Sequence, residues 1–135
     1  MVLDFAEEQE ARGASLLDIN VGMSGIDEKD MMLKILDEVT LASSLPLSLD
    51  SSHVDVLEAA LRKYPGRALV NSVSAERVKL ERLLPIVRKY GAMFILLPLS
   101  DEGLPANLDE KIALIEMIVQ KASELGMRKE DIVVD

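Results

Sequence analysis

The sequence contains no cysteine and no tryptophan, and aromatic residues make up only 3% of it. Without cysteine, the chain can form no disulfide, no thiolate nucleophile and no cysteine-bound zinc site. With so few aromatic side chains, it lacks the stacking surfaces that bind single-stranded nucleic acid. The absence of cysteine also fits a reducing compartment, and we predict a cytoplasmic protein.

Basic residues are scarce as well. The chain has 15 lysine and arginine residues against 24 acidic ones, which gives a formal net charge of −9. Binding to a nucleic acid backbone or to an anionic membrane surface requires a basic face. No apolar run reaches the roughly 18–20 residues that a membrane-spanning helix needs. We therefore predict that neither nucleic acid nor a membrane is a partner.

Short apolar segments alternate with amphipathic ones along the 135 residues. The segments predict strands at 15–21, 46–50, 67–71, 92–97 and 132–135, and helices at 2–12, 27–43, 51–64, 74–90 and 108–125. Because Pro85 lies inside one helical pattern, we expect a kink or a break there. One helix followed by βα repeats predicts an α/β fold with a parallel sheet. We expect residues 1–135 to form a single domain.

Polar residues close several of the predicted strands. The strand at 46–50 ends at Asp50, the strand at 67–71 ends at Asn71, and Asp18 and Asn20 lie at the end of the first strand. In α/β folds, ligands bind at the carboxyl ends of parallel strands. Local roles are also open at this point, since Asp50 and the serines after it could cap a helix and Asn71 could form a turn.

The remaining chemistry-bearing residues give weaker signals. His53 is the only histidine, and its place at a predicted helix start favours a solvent-facing or capping role over catalysis. No spacing of histidine, aspartate and glutamate indicates a metal site, and no pairing of serine with histidine indicates an acyl-transfer enzyme. We predict no bound metal and assign no catalytic residue.

Five segments resemble one known family, in order and over nearly the whole chain. They are 13–22 (GASLLDINVG), 47–52 (LSLDSS), 64–72 (YPGRALVNS), 88–92 (RKYGA) and 131–135 (DIVVD). The sequence resembles the pterin-binding methyltransferases, which include the methyltetrahydrofolate-binding domain of cobalamin-dependent methionine synthase and the methyltetrahydrofolate:corrinoid protein methyltransferases. The resemblance implies a partial TIM barrel holding about strands two to five of a (βα)₈ pterin-binding barrel.

The resemblance also implies a function and a site. The substrate would be methyltetrahydrofolate, and its N5 methyl group would pass to a corrinoid (cobalamin) cofactor on a partner domain or protein. Asp50, Asn71 and Asp135 would contact the pterin, while Asp18 and Asn20 would lie on the rim of the site.

Two alternatives to methyl transfer stay open. One is an enzyme like dihydropteroate synthase, although that family usually has a threonine after the first strand-end aspartate and a more basic phosphate site, neither of which is evident here. The other is an inactive half barrel that only binds pterin or self-associates. Because the barrel is incomplete, we expect a homo-oligomer.

Overall fold

Helices and strands alternate along residues 2–135, the part of the chain that the computed structural model describes. Spatial contacts group them into two compact units, of which the first ends at Ala68 and the second is Leu69–Asp135. The first unit contains α1 (Val2–Ala11), β1 (Leu17–Asn20), α2 (Glu28–Ala42), β2 (Leu47–Asp50) and α3 (Val54–Lys63). The second contains β3 (Leu69–Ser74), a π-helix (Lys79–Leu83), α4 (Leu84–Lys89), β4 (Met93–Leu97), α5 (Leu108–Glu124), a 3₁₀ turn (Lys129–Asp131) and β5 (Ile132–Val134).

The core of the first unit is built on a parallel strand pair. β1 and β2 run in register from Leu17 opposite Leu47 to Asn20 opposite Asp50. α3 buries all five of the residues that its sequence pattern assigns to the core: Val54, Val56, Leu57, Ala60 and Leu61. The buried residues of α2 are Met32, Leu36 and Val39, whereas Leu33 and Ile35, which the apolar pattern of the sequence also assigns to the core, are only half-buried. The steps of four and three residues keep the buried set on one helical face.

Helix starts in this unit agree only partly with the sequence. Asp27 caps α2 at the start of the predicted helix 27–43, since its Oδ1 accepts a hydrogen bond from the backbone N–H of Asp30 at 3.0 Å. The prediction that Ser51 or Ser52 caps the next helix is wrong. α3 starts at Val54 after His53, and Ser51 is engaged elsewhere.

In the second unit, β4 pairs in parallel with β3 on one side and with β5 on the other. The predicted end of β3 at Asn71 is wrong, because the strand continues to Ser74 with an irregular register between Asn71 and Val73. Val73 and Ser74 pair with Leu96 and Leu97, so strand pairing carries β3 past its polar residue. The peptide bond between Asn71 and Ser72 is cis.

The predicted break at Pro85 is confirmed. The π-helix Lys79–Leu83 ends directly before α4, and Pro85 lies at the start of α4. Proline has no backbone N–H and cannot make the usual hydrogen bond to the residue four positions earlier. A change of helical register just before it accommodates the missing bond. Leu83, Leu84 and Val87 remain buried through this break.

The core of the second unit combines β4 with the helices on its buried side. Phe94 and Leu96 are buried, together with Ile118 and Ala122 of α5. The other face of β4, formed by Met93, Ile95 and Leu97, is half-buried. Within residues 2–135, no helix is both long and apolar enough to cross a membrane.

Candidate functional site

The polar ends of β1 and β2 form the best-defined part of the candidate site. Asn20 and Asp50 are register partners, and Nδ2 of Asn20 donates a hydrogen bond to Oδ2 of Asp50 at 2.8 Å. The side-chain oxygen of Asn20 accepts a hydrogen bond from the backbone N–H of Gly22 at 2.9 Å. Because Gly22 engages the oxygen of the amide, the amide nitrogen is the end that faces Asp50.

This pairing leaves the Asp50 carboxylate partly available. Asp50 is half-buried, and its bond to Asn20 uses only Oδ2. Oδ1 accepts no hydrogen bond from any residue in 2–135. A carboxylate oxygen accepts hydrogen bonds strongly and donates none when ionised. Asp50 is therefore a fixed acceptor that can take N–H donors from a ligand.

The alternation of side chains along β1 and β2 explains which residues share this face. Successive strand residues point to opposite faces, so Asp18 and Asn20 lie on one face of β1, opposite Ser48 and Asp50 of β2. Leu17, Ile19, Leu47 and Leu49 are buried on the other face. Asp18 and Asn20 are both exposed. The last residue of β1 is Asn20, and Asp18 lies two residues before it within the strand.

Ser48 is the unexplained residue on this face. It is 1% exposed, and its hydroxyl is the buried side-chain polar atom without a hydrogen-bond partner in the described part of the chain. Buried polar groups in proteins are nearly always hydrogen-bonded, and an orphaned one costs stability. Ser48 lies two residues before Asp50 on the same face of β2.

The other two predicted pterin contacts lie in the second unit. Asn71 is half-buried in β3, opposite Ile95 and next to the irregular register. Asp135 is exposed and follows β5, and its backbone N–H donates to the carbonyl oxygen of Leu96 at 3.1 Å. That bond continues the pairing of β4 with β5 by one residue. Asp135 is therefore held by its backbone at the end of a paired strand.

Sequence reasoning missed a cluster of side chains beside Asp50. Glu28, in the first turn of α2, accepts a hydrogen bond from the Ser51 hydroxyl at 2.5 Å. The other oxygen of Glu28 lies 2.9 Å from Nδ1 of His53. His53 is exposed as predicted, but its side chain makes no capping bond and contacts Glu28 instead.

No local pattern could have shown this cluster. Glu28 is 23 residues from Ser51 and 25 from His53 in sequence. The signal lies only in the βα repeat, because parallel strands place successive βα loops and helix starts at the same end of a sheet. Residues 2–135 contain no group of three or more histidine, aspartate or glutamate side chains that could hold a metal ion.

The fold and site together define an α/β protein of the parallel βα-repeat class with a carboxylate–amide pair at its strand ends. The sequence profile of the pterin binding enzymes matches residues 1–135, and the chain belongs to this family. The family predicted from the sequence is therefore confirmed.

Curated relatives and solved structures agree with this assignment. The chain is 29% identical over 139 residues to the methionine synthases of Mycobacterium leprae (strain TN) and of Mycobacterium tuberculosis (strain ATCC 25618 / H37Rv). Each match covers 98% of this chain and 12% of the relative, so the chain spans about an eighth of the length of these proteins.

The structural likeness concerns dihydropteroate synthases. The Thermus thermophilus protein matches with 26% identity and a TM-score of 0.79, covering 98% of this chain and 52% of that one. The Vibrio fischeri ES114 protein matches with 21% identity and a TM-score of 0.76, covering 98% of this chain and 54% of that one. These structures are TIM barrels, so the predicted partial barrel is confirmed.

Proposed function

We propose that the chain binds methyltetrahydrofolate in the cytoplasm and takes part in transferring its N5 methyl group to a corrinoid (cobalamin) cofactor. The observation that carries the binding role is the Asp50 carboxylate, which Asn20 fixes through one oxygen while the other is open to a ligand. The methionine synthase relatives, which match 98% of the chain, favour methyl transfer as the reaction.

The chemistry of a pterin fits these side chains. Its ring edge carries adjacent N–H donors, the 2-amino group and N3–H, beside the O4 acceptor. A fixed carboxylate such as Asp50 accepts such donors, and an amide such as Asn71 both donates and accepts. In this proposal Asp50, Asn71 and Asp135 each contact the pterin, as the family resemblance implies, and Asp18 and Asn20 lie on the rim.

The share of this chain in methyl transfer is to position the substrate. The amine at N5 is a poor leaving group, and hydrogen bonds to the pterin support the charge that develops as the methyl group departs. The corrinoid would supply the methyl-accepting centre. The family resemblance and the methionine synthase relatives support a corrinoid carried by a partner domain or protein.

A binding titration tests the proposal. Addition of methyltetrahydrofolate to the protein should change the ligand's fluorescence with a saturable dependence on protein concentration. A matched titration with p-aminobenzoylglutamate, which lacks the pterin ring, should give no saturable change. A wild-type chain that shows no saturable binding to methyltetrahydrofolate would contradict the binding role.

A second candidate is a condensing enzyme of the dihydropteroate synthase type. The likeness to the Thermus thermophilus structure, at 26% identity, favours it. Such an enzyme needs a site for a pyrophosphate leaving group, and basic side chains usually supply one. Incubation with a dihydropterin pyrophosphate and p-aminobenzoate distinguishes the two reactions. Formation of dihydropteroate would replace methyl transfer with condensation.

We also propose that two or more copies of this chain associate in solution. β5 pairs only with β4 among the described strands, and Val133 and Val134 of β5 are 44% and 51% exposed. An apolar strand at a sheet edge favours pairing with another chain. Light scattering should show a dimer or larger oligomer, and Val134→Lys should shift it toward monomer. A monomeric wild-type protein at micromolar concentration would exclude self-association.

A further inference from the structure

Residues 51–53, which directly follow Asp50, are held in place by contacts with α2. We propose that Glu28 is a positioning residue for the pterin site: it fixes residues 51–53 and thereby the backbone that carries Asp50. The inference rests on the proposed function for the identity of the ligand, while the geometry that carries it lies entirely within the first unit.

The contacts of Glu28 divide between two residues of that segment. One carboxylate oxygen accepts from the Ser51 hydroxyl, and the other contacts Nδ1 of His53 at 2.9 Å. The Ser51 oxygen also accepts a hydrogen bond from the backbone N–H of His53 at 3.1 Å. Glu28 and Ser51 are well shielded from solvent, with exposures of 15% for the Glu28 side chain and 6% for Ser51. Charge-assisted hydrogen bonds in such surroundings are stronger than exposed ones.

The position of this cluster in the chain gives it its effect on Asp50. The pairing of β1 with β2 ends at Asn20 and Asp50, and α3 begins only at Val54. The three residues between therefore lie outside both the strand pair and the helix. Asn20 holds the Asp50 side chain, and the bond from Glu28 to Ser51 holds the next residue along the backbone. Together they fix the direction of the open carboxylate oxygen.

A hydrolytic role does not fit the same cluster. A serine nucleophile needs its hydroxyl directed at a base that can take the proton. The Ser51 hydroxyl donates to the Glu28 carboxylate, but Ser51 is only 6% exposed, so a substrate has little access to this hydroxyl. These contacts instead link α2 to the segment that follows β2 and hold the two together.

Four variants separate this role from a general effect on α2. Glu28→Ala removes both contacts and should weaken methyltetrahydrofolate binding about tenfold, the loss expected when buried hydrogen-bonding groups lose their partner. Glu28→Gln should bind within about twofold of wild type, because its oxygen can accept from Ser51 and its amide can donate to a neutral His53 ring. Asp30→Asn is the matched control, since Asp30 lies in the same first turn but pairs with Lys34. It should bind like wild type.

The fourth variant, Ser51→Ala, tests whether Glu28 acts through Ser51. The double variant Glu28→Ala with Ser51→Ala should bind at most about threefold more weakly than Ser51→Ala alone, because only the contact with His53 is left for Glu28→Ala to remove, and coupled residues do not give additive losses. Additive losses would overturn the proposal. So would equal binding by Glu28→Ala and Asp30→Asn, or a Glu28→Gln variant as weak as Glu28→Ala.

Two further measurements keep the inference testable in every case. If Glu28→Ala does not fold, His53→Ala removes only the exposed partner and should weaken binding about threefold; unchanged binding would overturn the proposal. If the wild-type chain binds no pterin, the proposed function fails, and amide hydrogen exchange at residues 51–53 decides the positioning role. Exchange there should be faster in Glu28→Ala than in Asp30→Asn, and equal rates would overturn the inference.

Discussion

Asn20 and Asp50 are 30 residues apart in sequence, and a 2.8 Å hydrogen bond joins their side chains at the ends of two parallel strands. The register of β1 and β2 makes them direct partners, and Gly22 orients the Asn20 amide. A strand-end carboxylate is thus already held by its neighbour before any ligand arrives. Such preorganisation lowers the cost of ordering the site on binding.

The first prediction concerns the carboxylate itself. Asp50→Asn should weaken methyltetrahydrofolate binding by about tenfold or more, because an amide has one acceptor oxygen in place of two and loses the charge. Asp55→Asn, an exposed acidic residue in the first turn of α3, is the matched control and should leave affinity unchanged. Fluorescence titration measures both, and equal affinity of Asp50→Asn and wild type would remove Asp50 from the site.

The second prediction concerns the amide that orients Asp50. Asn20→Ala removes the hydrogen bond and should weaken pterin binding about fivefold, since the net value of one such bond is about 1 kcal/mol. The loss should vanish when Asn20→Ala is made in the Asp50→Asn background, because the residues act as a pair. An undiminished loss in that background would mean that Asn20 acts on the ligand independently of Asp50.

The third prediction concerns Asn71. Asn71→Ala should weaken pterin binding by about 1–3 kcal/mol, which is the cost when a buried ligand group loses its hydrogen-bond partner. Gln120→Ala on the exposed side of α5 removes an amide of similar chemistry and should have no effect. Isothermal titration calorimetry compares the two variants directly. Unchanged affinity of Asn71→Ala would exclude a pterin contact at this position.

The fourth prediction concerns the stability contributions of two serines, Ser48 within β2 and Ser51 just after it. Ser48→Ala removes a buried hydroxyl without a partner, so the free energy of unfolding should stay equal or rise by up to about 1 kcal/mol. Ser51→Ala removes a hydroxyl that bonds to Glu28 and to the His53 backbone, and should lower the free energy of unfolding by about 1–2 kcal/mol. Urea denaturation measures both. Destabilisation by Ser48→Ala would show that its hydroxyl is satisfied in solution.

Most of the fold was predictable because its signals are local. The five buried residues of α3 follow from helical periodicity, the Asp27 cap from residue type, and the break at Pro85 from a missing N–H. The end of β3 was not predictable, because the strand continues past Asn71 by pairing with β4, and the polarity of the β3 residues does not show this. Sequence patterns within one segment therefore do not predict features that depend on pairing between distant segments.

The same limit applied to the candidate site. Asp50 and its strand end were visible in the sequence, and the family resemblance gave the pterin as ligand. The contacts of Glu28 with Ser51 and His53 join segments more than 20 residues apart, so only the folded chain brings them together. Asn20 was assigned to the rim, yet its amide directly orients Asp50.

Gly22 constrains the candidate site although it need not contact the substrate. A Cβ atom at this position would lie 3.3 Å from the side-chain oxygen of Asn20, closer than most such atoms approach. A side chain there requires the Asn20 amide, which holds Asp50, to shift by a few tenths of an ångström. We therefore expect a substitution at position 22 to change ligand affinity through Asn20 and Asp50, without touching the ligand itself.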